Sequence, residues 1–74
     1  MRAHSFPGEM IAAMGHIELW TEPFDKNPHA SQTATVEKGS LGVVIASTRY
    51  ERLVLFSRAI GWTNVNNLAQ VLPC

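Results

Sequence analysis

The chain has 74 residues, with six basic and six acidic side chains and a formal net charge of zero. This length leaves room for one domain, and the balanced charge lacks the basic surplus that a phosphate-binding surface requires. The single cysteine, Cys74, excludes an intrachain disulfide, and no apolar run reaches the roughly 18 residues of a membrane span. We therefore expect a cytoplasmic protein that neither crosses nor binds a membrane.

Residues 1–14 differ from the rest of the chain, because they mix His4, Pro7 and Gly8 with small apolar residues and show no clean period. We expect a poorly ordered N-terminal arm over 1–14 and one domain over 15–74. Two interpretations of the arm stay open. Translation of the native product starts at Met10 or Met14, or the arm docks on a neighbouring subunit.

The first predicted strand covers residues 16–21, where polar and apolar residues alternate. Ile17 and Leu19 point to one face and Trp20 points to the other. Residues 23–34 are rich in Pro, Asn, Asp and Ser and predict a long loop.

The rest of the chain predicts further short strands with tight turns. Residues 35–42 form a short strand that enters a turn, where Gly39 and Gly42 permit strained backbone dihedrals. A strongly β-forming run follows over 43–47, then strands over 52–57 and 60–63, a helical turn over 64–68 and a short last strand over 69–72. Five short strands with a hydrophobic interior close most economically into a small barrel.

Three segments in the range 36–72 resemble SH3-like barrels, especially the short ones of bacteria, phages and mobile elements. Val36–Val44 resembles the Lys-Gly entry into the second core strand, and Leu53–Phe56 resembles the middle strand. Gly61–Leu68 resembles the Gly-Trp element that precedes a helical turn and the final strand. The resemblance implies a mainly β, five-stranded SH3-like barrel with one helical turn. In it Gly39, Gly42, Gly61 and Trp62 are structural, and Trp62 packs at the barrel end.

The functions of this family transfer poorly to the chain. The SH3 peptide groove needs aromatic residues with a proline and a tyrosine in the helical turn, where this sequence has Asn64 and Asn67. We therefore do not expect proline-rich ligands. The SH3-like type II dihydrofolate reductase uses a Val-Gln-Ile-Tyr motif, which the segment 66–70 lacks. That enzyme nevertheless indicates that small barrels can assemble around a shared pore.

No catalytic or metal-binding constellation is evident in the sequence, and we predict neither a metal nor a cofactor. His4, His16 and His29 do not have the spacing of metal ligands. Glu18 and Glu22 share a strand face, which is more typical of a solvated surface than of an acid–base pair.

Several predicted strands are apolar on both faces, although a small barrel has one interior. The apolar surface that does not fit into this interior must be covered by the loop 23–34, by the N-terminal arm or by another chain. For Trp20, coverage by the loop and coverage by a partner are equal alternatives. The candidate interface residues are Trp20, Phe24, Tyr50, Val54 and Phe56.

These observations favour a non-enzymatic protein-binding or self-assembly module, with a protein partner or a homo-oligomer. The alternative is an oligomeric ligand-binding protein or enzyme whose site lies at a subunit interface, lined by Asn64, Asn66, Asn67 and Gln70. Nucleic-acid binding would need a basic edge on the domain. We do not expect it, because we interpret the arginines that could form such an edge as ordinary solvated surface charges. Those arginines are Arg49, Arg52 and Arg58.

Overall fold

The computed structural model describes residues 6–24 and 26–71, which form seven β-strands and one turn of 3-10 helix. The strands are β1 (Met10–Ala13), β2 (Ile17–Trp20), β3 (Gln32–Val36), β4 (Leu41–Ser47), β5 (Glu51–Phe56), β6 (Ile60–Asn64) and β7 (Leu68–Gln70). All pairings are antiparallel, in the order β3-β2-β6-β5-β4-β1-β7 across one sheet. The prediction of a mainly β domain is confirmed.

This sheet is open, because no ladder joins its edge strands β3 and β7 within the described residues. The predicted closed barrel of five strands is therefore not what these residues form. The difference arises at β4, which follows β3 directly along the chain. Both edges of β4 are already occupied, one by β5 and the other by β1. β3 pairs instead with β2 and leaves its other edge free.

A single cluster of buried apolar side chains lies on the inner face of the sheet. The cluster draws on strands from β2, near one edge, to β7, at the other edge. Strands so far apart in the sheet order can share a core only if the sheet curls around it. The cluster consists of Ile11, Ala13, Ile17, Leu19, Val44, Val54, Phe56 and Leu68.

Strand β1 corrects the sequence-based expectation that residues 1–14 form a poorly ordered arm. Met10–Ala13 lies between β4 and β7 and is paired with both. Ile11 is 0% exposed and Ala13 is 3% exposed, so both belong to the core. The short run has no alternating pattern of its own, and its strand conformation comes from ladders on two sides. Residues 1–5 of the expected arm lie outside the described residues.

The connections between strands follow the turn residues of the sequence. Gly39 has φ +89° in the tight turn before β4, which is the left-handed conformation that glycine adopts at little cost. One 3-10 turn, Val65–Asn67, lies inside the predicted range 64–68. The side-chain oxygen of Asn64 caps this turn by accepting a 2.8 Å hydrogen bond from the backbone N–H of Asn66. The predicted loop 23–34 ends earlier, since β3 begins at Gln32.

One end of the inner face is polar. Arg52 is 2% exposed and Thr63, directly opposite it on β6, is 1% exposed. The Arg52 guanidinium donates hydrogen bonds to the backbone oxygens of Thr48, at 2.7 Å, and Glu51, at 2.9 Å. Burial lowers the pKa of Arg52 from its ordinary value, and the nearby carboxylate of Glu9 opposes this shift. The guanidinium therefore braces the turn between β4 and β5 from inside.

The role of β1 in the core can be tested by replacing Ile11 with alanine. Removing a fully buried side chain leaves a cavity, and we expect Ile11→Ala to lower the free energy of unfolding by about 2–5 kcal/mol. Met14→Ala, at a residue that is 58% exposed, is the matched control and should change it by less than about 0.5 kcal/mol. Urea denaturation measures both. Equal stability of Ile11→Ala and the wild type would mean that β1 does not contribute to the core.

Candidate docking face

The face of the sheet opposite the core is also apolar, across the five adjacent strands β2, β6, β5, β4 and β1. In β5, Val54 and Phe56 point into the core, so Leu53 and Leu55 point outward. The same alternation in the neighbouring strands completes what we call the apolar outer face. Its large side chains are Met10, Trp20, Leu41, Val43, Ile45, Leu53, Leu55, Ile60 and Trp62.

Strand register arranges most of this face in two rows that run across the sheet. The first row is Met10, Val43, Leu55 and Ile60. The second row is Ala46, Leu53, Trp62 and Trp20. Side chains directly opposite one another on antiparallel strands lie about 4.5–5.5 Å apart at Cβ. Each row is therefore a continuous apolar strip.

Much of this apolar surface is exposed in the isolated chain. Six side chains each expose between 41% and 57% of their surface: Met10, Leu41, Val43, Ile45, Leu55 and Ile60. Together they present on the order of 500 Å², at the upper end of the roughly 300–600 Å² that typical monomers show as their largest patch. A patch of this size makes the apolar outer face a candidate interaction surface.

Charged residues are excluded from the centre of the face. The strand segments 41–46, 53–56 and 60–62 contain no Asp, Glu, Lys or Arg. Glu18 lies on the same side of the sheet but at its margin, opposite Thr35 of the edge strand. An apolar centre with polar residues at the margin is the usual composition of a protein–protein contact.

A shallow apolar groove of about 400 Å³ lies at the β1–β4–β5 end of the face. The side chains of Met10, Leu41, Val43 and Leu55 line most of it. A second groove, of about 290 Å³, lies beside edge strand β3 and is lined by Glu37 and Arg58 among others. Only the first opens on the apolar outer face.

Two of the predicted interface residues, Val54 and Phe56, are core residues instead. Val54 is 0% exposed and Phe56 is 4% exposed. The sequence correctly placed them on the opposite face from Leu53 and Leu55 but gave no indication of which face was buried. Register decides this, because Val54 pairs with the buried Val44 and Leu55 pairs with the exposed Val43. Leu53 and Leu55 therefore replace them in the candidate site.

Trp20 and Phe24 contact each other, as a loop folded over Trp20 would require. Their ring centroids are 5.0 Å apart with an interplanar angle of 48°. Phe24 itself is 45% exposed, and Trp20 stays half-buried. The loop thus covers part of Trp20 and extends the apolar outer face with an additional ring.

Trp62, to which the family resemblance assigns a structural role at the barrel end, lies on strand β6. It does not pack in the buried cluster but lies half-buried on the apolar outer face. Its partners across the strands are Leu53 on one side and Trp20 on the other. Trp62 therefore joins β5 to β2 in the second apolar row.

Gly61 allows the strands that carry the two tryptophans to approach closely. A Cβ atom at Gly61 would lie 2.6 Å from the Cβ atom of Leu19 and 3.2 Å from the backbone nitrogen of Trp20. Gly42 has a similar role within the β4–β5 pair, since a Cβ atom there would lie 2.7 Å from Cγ1 of Val54. The predicted structural glycines Gly42 and Gly61 thus serve close packing.

Tyr50 and the three arginines of the hypothetical basic edge are dispersed. Tyr50 lies in the turn between β4 and β5, outside the two rows, with the Arg49 guanidinium 5.3 Å from its ring centroid. Arg52 is buried, and Arg58 lies in the turn after β5, at the other end of that strand. The structure does not bring Arg49, Arg52 and Arg58 together on one exposed edge.

Of the four amide side chains that the alternative interpretation places around a pore, three make hydrogen bonds within the chain, those of Asn64, Asn67 and Gln70. Asn64 caps the 3-10 turn, and Asn67 donates from Nδ2 to the Thr63 hydroxyl at 3.0 Å. Gln70 donates from Nε2 to a carboxylate oxygen of Glu9 at 2.6 Å. These contacts connect the 3-10 turn to β6, and β7 to Glu9 just before β1.

Over residues 6–24 and 26–71, no three His, Cys, Asp or Glu side chains come together as metal ligands would. None of the helical segments described is long and apolar enough to cross a bilayer. No family model, curated protein or solved structure matches the chain.

The close approach at Gly61 leads to a stability test. We expect Gly61→Ala to lower the free energy of unfolding by about 1–3 kcal/mol, because the added methyl group would overlap with β2. Trp20 and Trp62 would separate, so the tryptophan emission should shift to longer wavelength. Gly15→Ala is the matched control, since a Cβ atom there meets nothing within 4 Å. If both variants were equally stable, the proximity of β2 and β6 would not depend on the glycine.

Proposed function

We propose that this chain is a non-enzymatic protein-binding or self-assembly module on an SH3-like framework, and that it binds through the apolar outer face. The observation that carries the proposal is the pair of uncharged apolar rows on the side of the sheet away from the core. The SH3-like assignment rests on the sequence segments in the range 36–72, and the small, curled antiparallel sheet is compatible with it.

The chemistry of the face explains why it would bind. Each of the six exposed aliphatic side chains keeps about half of its surface in water. Burying apolar surface contributes roughly 25 cal/mol per Å² before the costs of association are subtracted. The half-buried Trp20 and Trp62, which are register partners on β2 and β6, add two aromatic side chains to this face. Rigid aromatic residues at the centre of an interface often dominate its binding energy.

The fold also explains why binding would help the chain itself. A domain of this length buries only about 60% of the surface that its unfolded chain exposes. The inner face supplies a cluster of eight buried apolar residues. Of these, Ala13 has a small side chain and Leu68 comes from a strand of only three residues. Small domains with a limited core commonly gain stability by associating with another chain.

The proposal can be tested with Leu55→Lys, which places a charge at the middle of the apolar outer face. Leu55 is 50% exposed, so the variant should fold, which circular dichroism can verify. Loss of a central contact costs about 2 kcal/mol, and binding of a protein captured from the source cells should weaken more than tenfold. Self-association, where it occurs, should weaken in the same way.

Met14→Lys is the matched control, because Met14 is equally apolar and 58% exposed but lies in the turn between β1 and β2. This variant should bind as the wild type does. If Leu55→Lys and Met14→Lys left both partner capture and self-association unchanged, the apolar outer face would not be the binding surface.

A further inference from the structure

We infer that the occupant of the apolar outer face is a second copy of this chain, packed face to face about a two-fold axis that runs along β5. This inference rests on the proposed function, since it names the partner of the same surface. It follows from the position of β5 in the sheet, from the sizes of the side chains on either side of β5, and from the area of the face.

β5 is the central strand of the apolar outer face. β6 and β2 lie on one side of it, and β4 and β1 lie on the other. A two-fold axis along β5 would therefore place β4 of one copy over β6 of the other, and the three central strands of the two outer faces, which curve away from each other at β1 and β2, would meet. The strands of one sheet would run in nearly the same direction as the strands of the other, as in aligned sheet packing.

Side-chain sizes are complementary under this rotation. In the second row, β4 contributes the small Ala46, with Ile45 beside it at the β-bulge after Val44, and β6 contributes the large Trp62 on the opposite side of Leu53. The rotation sets Ala46 of each copy against Trp62 of the other. In the first row it sets Val43 against Ile60, two side chains of similar size. A surface that matches itself in this way forms an isologous interface and closes as a dimer.

The absence of charge and the available area also favour a second copy. Because the strand segments at the centre of the face contain no charged residue, two copies meet without like-charge repulsion. The exposed aliphatic surface, on the order of 500 Å², approaches the roughly 800 Å² per partner of a standard interface. The half-buried Leu53, Trp62 and Trp20 and the polar margin supply the remaining contact area.

This arrangement places Leu55 on the axis, next to Leu55 of the second copy. A lysine at this position would face another lysine, and an aspartate would face another aspartate. In a mixture of the two variants, lysine faces aspartate. A charge-complementation experiment therefore tests the symmetry of the contact as well as its location.

The experiment measures the mass of the full-length chain by light scattering behind size exclusion and by sedimentation velocity over a wide concentration range. We expect the wild type and the control Met14→Lys to form dimers. Leu55→Lys and Leu55→Asp should each be monomers, with a dimer dissociation constant raised about a hundredfold or more. An equimolar mixture of the two should recover the dimer, which an unfolded variant cannot do.

Three results would overturn the inference. A wild type that is monomeric throughout would exclude the second copy as the occupant. Dimers of Leu55→Lys would place association elsewhere, for example at the edge strands β3 and β7. Two monomeric variants that do not combine would exclude the axis along β5. The proposed function fails separately, if Leu55→Lys also leaves the capture of other proteins unchanged.

Discussion

The register of β5 with its two neighbours determines which side of the sheet is core and which is surface. Val54 pairs with Val44 and Gly61, and this places it inside, while Leu55 pairs with Val43 and Ile60 on the outside. A slip of one residue would exchange the two faces along the strand. Residues 53–56 are apolar on both faces of β5, so a slip of one residue within this segment would not bury a charge. Arg52 supplies the constraint at the end of the strand, because its guanidinium fits the carbonyl groups of Thr48 and Glu51 on the inner side.

Close packing of the strands depends on two positions without a side chain. Gly42 brings β4 against Val54 and Phe56, and Gly61 brings β6 against Leu19 and Trp20. Thr33 strengthens the second contact, since its single O–H lies between two backbone oxygens that can accept it, that of Leu19 at 3.4 Å and that of Ile60 at 3.3 Å. This junction links β2 and β3, at one edge of the sheet, to β6 and the remaining strands. It also positions Trp20 next to Trp62, so the packing of the core and the composition of the apolar outer face have a common origin.

The balance between the two faces suggests why a chain of this size would associate. Its inner face holds one cluster of eight buried apolar residues, while its outer face leaves six large apolar residues about half exposed. Transfer of that outer surface out of water is the main stabilising contribution still available to the chain. A two-fold arrangement along β5 would complete the structure as two sheets with a shared second core, in the manner of a β-sandwich. The edge strands β3 and β7 would stay outside this contact.

The sequence was sufficient to predict the mainly β class, most strand positions, the turn at Gly39 and the helical turn near residues 64–68. These features depend on local backbone preferences and on alternation, which neighbouring residues encode. It also showed that β5 is apolar on both sides. The tertiary structure alone decided that Leu53 and Leu55 face outward, that Met10–Ala13 is a strand, and that Trp62 belongs to the surface. Each of these depends on which strands become neighbours, and residues far apart in the chain set that order through their packing.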